Sequence, residues 1–348
     1  MKFISKYHAL LASGLSVFLT VLLLNNFLGN SLSTIRSDGF GYYDYLPSIF
    51  IYDDLNRKDF SLSKGDSIFD RFQDPEIFVE YKDVKINKYP VGAAIMQFPF
   101  FYATYLTSSN KSELSGYERK FHKAIQVATL FYLGIGLYFI GRLFSLYKIK
   151  WWLSFLILPL IPLATNILHY VNSEAAFSHV YSFAAIAAFA LVARNYFLKP
   201  DRKWLLLASI LLGLIILLRQ INVLVIFALP LIAGSQVNFV QGFRFAFKDL
   251  RSILRLFIPP ILLFIPQVIS WYLQSGDYLI YSYQDETFDF FDPHMLDVWF
   301  SYRKGLFVYT PVLLLSIFGS IYLFFKRSFR FTIIAWWAFL IFVTYIFS

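Results

Sequence analysis

The sequence predicts an all-α, polytopic membrane protein with about nine transmembrane helices and with interfacial or re-entrant helices in the first outer loop. Three observations lead there. Of 348 residues, 58% are hydrophobic and 15% charged, whereas soluble domains carry about 25% charged residues. Nine apolar stretches approach the roughly 20 residues that a membrane-crossing helix needs. Lysine and arginine also segregate by loop, as membrane topology requires.

Lys2 and Lys6 open an apolar run that lasts to Leu24. With no small-x-small cleavage site near Asn30 and many spans behind it, this run reads as an uncleaved anchor over 9–29. Further spans are expected at 122–144, 151–169, 177–196, 204–219, 221–235, 256–273, 306–325 and 331–347. The pair 204–219 and 221–235 is tight, with Arg219-Gln220 at its hinge. Val91–Leu106 is shorter, follows Pro90 and contains Pro99, so it either spans or re-enters. Residues 77–89 predict a small hairpin. The whole of 1–348 reads as one domain with two long outer loops, 30–121 and 274–305. There is no internal repeat. The apolar run ends at Ser348, so the last helix either finishes flush or belongs to a longer natural protein.

The absence of cysteine excludes disulfides, thiolate zinc sites and cysteine nucleophiles. A net charge of +9 does not point to nucleic acid, because the charges form no single patch. With a cytoplasmic N-terminus and a non-crossing 91–106, the inside segments hold sixteen of the 31 basic residues and only Asp201 and Asp249 among the 22 acids. The opposite choice turns every later basic loop outward, against the positive-inside rule. The favoured orientation puts Lys88, Glu174, Arg219, Glu286 and Arg303 on the same outer side as Asp38.

The chain is organised around Ile35–Leu55, where two acids stand just beyond the first span. Gly39 and Gly41 are expected to turn the backbone beside Asp38. Tyr42, Tyr43, Tyr45 and Leu46-Pro47 suit a segment lying in the interface. Asp38 is the candidate general base, its alternative being a helix cap. Asp44 either orients a substrate, helps hold a divalent cation, or is a solvated helix acid. Asp53-Asp54 reads as surface charge. Lys88 is placed to meet phosphate or a carboxylate, or to reach toward headgroups. Glu174 and His179 lie five residues apart, about 140° around a helix, so they are no standard histidine metal pair. Both are membrane-edge ionisable groups and default to functional candidates. Arg219 either grips phosphate or caps its helix. Arg303 and Lys304 stand where a helix starts, a place suited to an anion. Asp285, Glu286 and His294 are weaker candidates: sugar contacts, metal contacts or plain solvated loop charges. Tyr281, Tyr283, Phe288, Phe290 and Phe291 either stack on sugar or pack their loop.

One span, an outer loop opening on an acid, and Asn87-Lys88-Tyr89-Pro90-Val91 entering a short helix together resemble the GT-C superfamily of membrane glycosyltransferases. The closest likeness is to the lipid A aminoarabinose transferase and protein O-mannosyltransferase group. The Lys88 segment is similar to that group's Lys-Pro-Pro-Leu motif, with Tyr89 where the first proline stands. A second long outer loop after the seventh span fits the same plan. The resemblance implies an inverting transfer of a hexosyl or pentosyl unit from a polyprenyl-phosphate donor to a lipid, glycan or protein acceptor. The site faces the non-cytoplasmic side of the cell membrane. It also implies an acid in the first outer loop as base, here Asp38; Asp44, Lys88, Tyr89, Glu174, His179, Arg219, Glu286, Arg303 and Lys304 are the expected substrate contacts. No cofactor is certain, and a divalent cation is left open. The rivals are a transporter or lipid flippase of the cell envelope, and an inactive scaffold of the same fold.

Overall fold

The computed structural model describes residues 2–24, 34–55, 77–283 and 290–348, with side chains from Ser5 onward. Within these residues the chain is all-α apart from one hairpin. The helices are α1 (Lys2–Leu22), α2 (Asp38–Phe50), α3 (Gly92–Leu106), α4 (Arg119–Leu146), α5 (Ser154–Leu163), α6 (Ile167–Asn172), α7 (His179–Leu198) and α8 (Arg202–Leu218). After them come α9 (Leu229–Ala233), α10 (Gln236–Ala246), α11 (Leu250–Ser275), α12 (Met295–Phe300), α13 (Leu306–Tyr309), α14 (Leu314–Phe324) and α15 (Arg330–Ile346). Strands β1 (Phe78–Tyr81) and β2 (Val84–Asn87) form the expected hairpin, with Phe78 opposite Asn87 and Tyr81 opposite Val84. Its two-residue turn is Lys82-Asp83, both at positive φ, the turn whose twist suits a two-residue hairpin.

Among the described residues, five helical segments are long and apolar enough to cross a membrane: Ser5–Leu22, Arg119–Leu146, His179–Leu198, Leu250–Ser275 and Arg327–Ile346. Three expected spans are not continuous helices. The stretch 151–169 is a 3₁₀ turn, α5 and then α6, broken beyond Pro159 and Pro162. The stretch 221–235 is mostly a 3₁₀ helix, Gln220–Ala228, followed by the short α9. The stretch 306–325 breaks at Thr310-Pro311 between α13 and α14. Proline removes a helical donor and crowds the preceding turn, which accounts for the third break, where Pro311 follows Thr310. Helix α3 has 15 residues, about 22 Å at 1.5 Å per residue, short of the roughly 30 Å hydrocarbon core.

Small residues let the long helices approach. A Cβ on Gly141 of α4 would stand 2.9 Å from the Cβ of Ala9 on α1, and one on Gly136 would meet Phe183 of α7 at 2.5 Å. Gly213 of α8 lies equally tight against Pro260 of α11. Arg194, an ionisable residue inside an apolar helix, has a structural role. Its guanidinium donates to the carbonyls of Ile232 and Ala233 at the end of α9 and lies 4.4 Å over the Tyr147 ring.

Helix α2 is enclosed by protein, with every residue from Gly39 to Ser48 buried. Gly39 and Gly41 do not turn the chain as expected. Both are helical, and a Cβ on Gly41 would come 2.3 Å from the Tyr89 ring while one on Gly39 would meet Ala176 and Phe177 at 3.0 Å. The turn falls on Ser37, at φ 47°. Just upstream, the Ile35 amide and the Thr34 hydroxyl meet Nδ1 of His122 on α4, at 3.1 and 3.0 Å.

Asp249 joins α8 to α11. It caps α11 by accepting from the Ser252 amide at 2.8 Å and accepts from Arg202 at 2.6 Å. The Arg202 hydrogen bond first, and then the Ser252 amide, hold its carboxyl down to about 2 from an unfolded value of 3.8. A depressed carboxylate contributes stability above its unfolded value and loses it as pH falls through the folded one. The thermal midpoint of the native protein is therefore expected to fall between pH 3.8 and about 2 more steeply than that of Asp249→Asn. Parallel melting curves would remove this pair from the fold's account.

Candidate functional site

The site begins with an irregular segment, 87–91, enclosed between α2, α8, α11 and the chain after α11. Buried backbone outside a helix must find a partner for each amide, and here each one does. The Asn87 amide donates to Oε1 of Gln274 and the Val91 amide to Oε1 of Gln267, both at 2.8 Å. The Lys88 amide donates to the Ile77 carbonyl at 3.0 Å. The Tyr89 amide donates to Oδ1 of Asn87 at 3.0 Å, and Pro90 has no amide to satisfy. The Asn87 amide nitrogen reaches the Gly41 carbonyl of α2 at 2.7 Å. The Tyr89 carbonyl accepts from Tyr45 at 2.6 Å and the Lys88 carbonyl from Ser282 at 2.8 Å. Directly after it, a Cβ on Gly92 would stand 2.4 Å from the Leu217 carbonyl oxygen. Glycine therefore lets the start of α3 touch the end of α8, which brings Tyr89 toward Arg219.

Asp38 sits half-buried in the first turn of α2, behind the N-cap residue Ser37. It is not the cap. Its carboxylate accepts from Ser37 at 3.4 Å and lies within hydrogen-bonding reach of the Tyr89 hydroxyl. Burial first, and then this carboxylate, raise the Tyr89 phenol far above its usual range. Burial also raises Tyr42, against the opposing pull of the Arg219 guanidinium. Tyr42 and Tyr89 pack at 4.7 Å. Both phenols therefore stay protonated, and Tyr89 donates toward Asp38.

Arg219 follows the last turn of α8 with extended backbone. Its guanidinium does not cap that helix but meets Nε2 of His179 at 3.3 Å. Arginine only donates, so Nε2 accepts and the ring proton sits on Nδ1, which is buried without a hydrogen-bond partner. Tyr170 stacks on the same imidazole at 3.8 Å and 8°. Glu174 belongs to a neighbouring arrangement, 3.6 Å from Arg36 and 3.3 Å from His169. The two carboxylates thus differ in kind: Asp38 faces neutral hydroxyls, whereas Glu174 lies between a guanidinium and an imidazole.

Beside Arg219 opens a cleft of about 650 Å³ between the 3₁₀ segment, α11 and residues 280–283. Its walls include Val223, Phe264, Trp271 and Ile280, with Tyr283 and Arg219 as polar borders. The Lys88 ammonium lies 5.2 Å over the Tyr283 ring. A carboxylate, protonated phenols, two cations and an apolar trough therefore share one neighbourhood. Among the described residues, no group of three or more His, Asp or Glu has the placement of a metal site.

Other expected members lie elsewhere. Asp44 is neither solvated nor turned toward this neighbourhood. It is fully buried and accepts from Ser48 at 3.2 Å and Tyr117 at 3.3 Å. Arg303 and Lys304 are exposed, and Arg303 stacks on its own neighbour Tyr302 at 5.9 Å. Among the described residues, no hydrogen bond, ion pair or ring contact joins them to Asp38 or Arg219. They precede the four-residue α13. His294 pairs locally with Asp292 and Asp297. Asp285, Glu286 and Phe288 fall outside the described residues.

Sequence reasoning did not single out Arg36, Tyr42, Tyr170, Gln267 or Gln274. The glutamines did leave a signal: two amides seven residues apart share one face of an otherwise apolar helix. No family model matches the chain, and no curated protein or solved structure matches it. Function must therefore be read from the site. Gln267→Leu would bury the Val91 amide unpaired, at a cost of about 1–3 kcal/mol. Its thermal midpoint is expected to fall accordingly, and an unchanged midpoint would show that the Val91 amide does not depend on this hydrogen bond.

Proposed function

We propose that the protein is a GT-C-like glycosyltransferase that moves a sugar from a polyprenyl-phosphate donor to a lipid, glycan or protein acceptor at the outer face of the cell membrane. One observation carries the reading: a half-buried carboxylate with neutral partners stands beside a guanidinium that borders an apolar cleft. Asp38 takes the proton of the acceptor hydroxyl as that oxygen bonds to C1 of the sugar. The C1–O bond to phosphate breaks, and its electron pair leaves on the polyprenyl phosphate. Direct attack inverts the anomeric centre. Arg219 and Lys88 meet the charge that develops on the phosphate, and the cleft takes the start of the prenyl chain. Tyr89 and Tyr42, kept protonated, offer hydrogen bonds to sugar or phosphate oxygens.

The topology belongs to the same proposal. Nine crossings result if each broken stretch, 151–172, 220–233 and 306–324, counts as one and α3 does not cross. The distribution of lysine and arginine then supports a cytoplasmic N-terminus.

The protein reconstituted with polyprenyl-phosphate sugars and candidate acceptors is expected to release polyprenyl phosphate. Asp38→Asn should lower the rate at least about 100-fold, the usual scale of general-base loss, while donor affinity stays. Arg219→Gln should weaken donor binding by about 1.5–3 kcal/mol, as for a lost charged hydrogen bond. Full turnover by Asp38→Asn would reject the base assignment. Vectorial movement of lipid without release of phosphate would favour the flippase reading instead.

A further inference from the structure

A second large concavity lies away from this site, on the flank of the α1–α4 pair, with a volume of about 970 Å³. It runs along α1 from Lys6 to Val17, about 16 Å at 1.5 Å per residue. That is about half of the roughly 30 Å hydrocarbon core, the depth of one leaflet. Glycine makes the hollow. A Cβ on Gly14 would touch nothing within 4 Å, and one on Gly134 would meet only a Val17 methyl at 3.4 Å. Leu10 and Phe131, 58% and 53% exposed, rim it.

One end is cationic. Lys6 and Arg142 border the hollow, and no acid lines it. Lys6 lies 5.3 Å over Tyr7. Arg142 lies 6.0 Å over Tyr138 and donates to its hydroxyl at 3.1 Å. Aromatic side chains, not carboxylates, thus hold both cations, and their charge stays uncompensated among the described residues. Tyrosines beside them suit the level of lipid headgroups.

We propose that this groove binds one anionic glycerophospholipid. The phosphate sits between Lys6 and Arg142, and one acyl chain lies along the trough floored by Gly14 and Gly134. Length, apolar walls and a cation pair at one end fit that occupant together. A neutral lipid lacks the charge, and a second α1 helix brings Lys6 against Lys6. This site is independent of the glycosyltransferase reading.

The test uses the full chain in nanodiscs of phosphatidylcholine alone or mixed with phosphatidylglycerol, read by lipid retention in native mass spectrometry and by thermal unfolding. The native protein is expected to retain one phosphatidylglycerol and to melt higher in the mixed discs. Lys6→Gln and Arg142→Gln, both at exposed side chains, should each weaken retention about fivefold. Gly14→Leu should abolish retention with the cations intact, while still unfolding cooperatively in phosphatidylcholine. The proposal is overturned if the double glutamine variant still prefers phosphatidylglycerol. It is equally overturned if Gly14→Leu still retains the lipid, or if Leu10→Cys crosslinks two copies through the groove.

Discussion

The constraint on which the site depends is the burial of irregular backbone. Residues 87–91 are not helical, yet they lie enclosed by helices where water cannot satisfy their amides. Each unpaired amide there costs on the order of 1–3 kcal/mol, so the segment is tolerable only because its pairing is complete. Gln267 and Gln274 reach across from α11, Asn87 links the segment to α2, and Ser282 closes the far side. These bonds tie three parts of the chain, α2, α11 and the segment after α11, to one short loop. They fix Lys88 and Tyr89 in place without any demand on the chemistry of those side chains.

Gly92 completes the geometry. Its lack of a side chain lets the first turn of α3 rest on the last peptides of α8. Arg219 leaves α8 one residue later, already close to the tyrosine pair. The same economy of volume appears at Gly41, which admits the Tyr89 ring against α2. In both places a glycine serves contact between elements, and φ is ordinary.

Around this scaffold, charge is arranged by contrast. Glu174 faces the Arg36 guanidinium and the His169 imidazole, so its oxygens are engaged on both sides. Asp38 instead meets the Ser37 and Tyr89 hydroxyls, and among the described residues no ion pair engages it. Arg219 spends one donor on a neutral histidine, which steers the guanidinium without cancelling its charge. Asp44, six residues from Asp38, shows how little sequence proximity decides. It points into the protein toward Ser48 and Tyr117, where it holds α2 against the start of α4.

The sequence alone determined that the chain is helical and apolar enough for a membrane. It also located the long helices α1, α4, α7, α11 and α15 and the hairpin at 77–89. These are local properties: hydrophobic run length, turn chemistry and proline placement act within a few residues. Lys88, Tyr89, Arg219 and Asp38 stood out because ionisable or proline-adjacent residues at the edge of apolar runs are costly and few. Only the tertiary structure decided that Asp38, Tyr89, Arg219 and His179 gather while Asp44, Arg303 and Lys304 lie elsewhere. It also decided that 151–169, 221–235 and 306–325 are broken, and that α2 is buried from Gly39 to Ser48. Those outcomes follow from contacts between residues tens to hundreds of positions apart, such as Asn87 with Gln274 and Gly92 with Leu217. No periodicity within either segment encodes its partner.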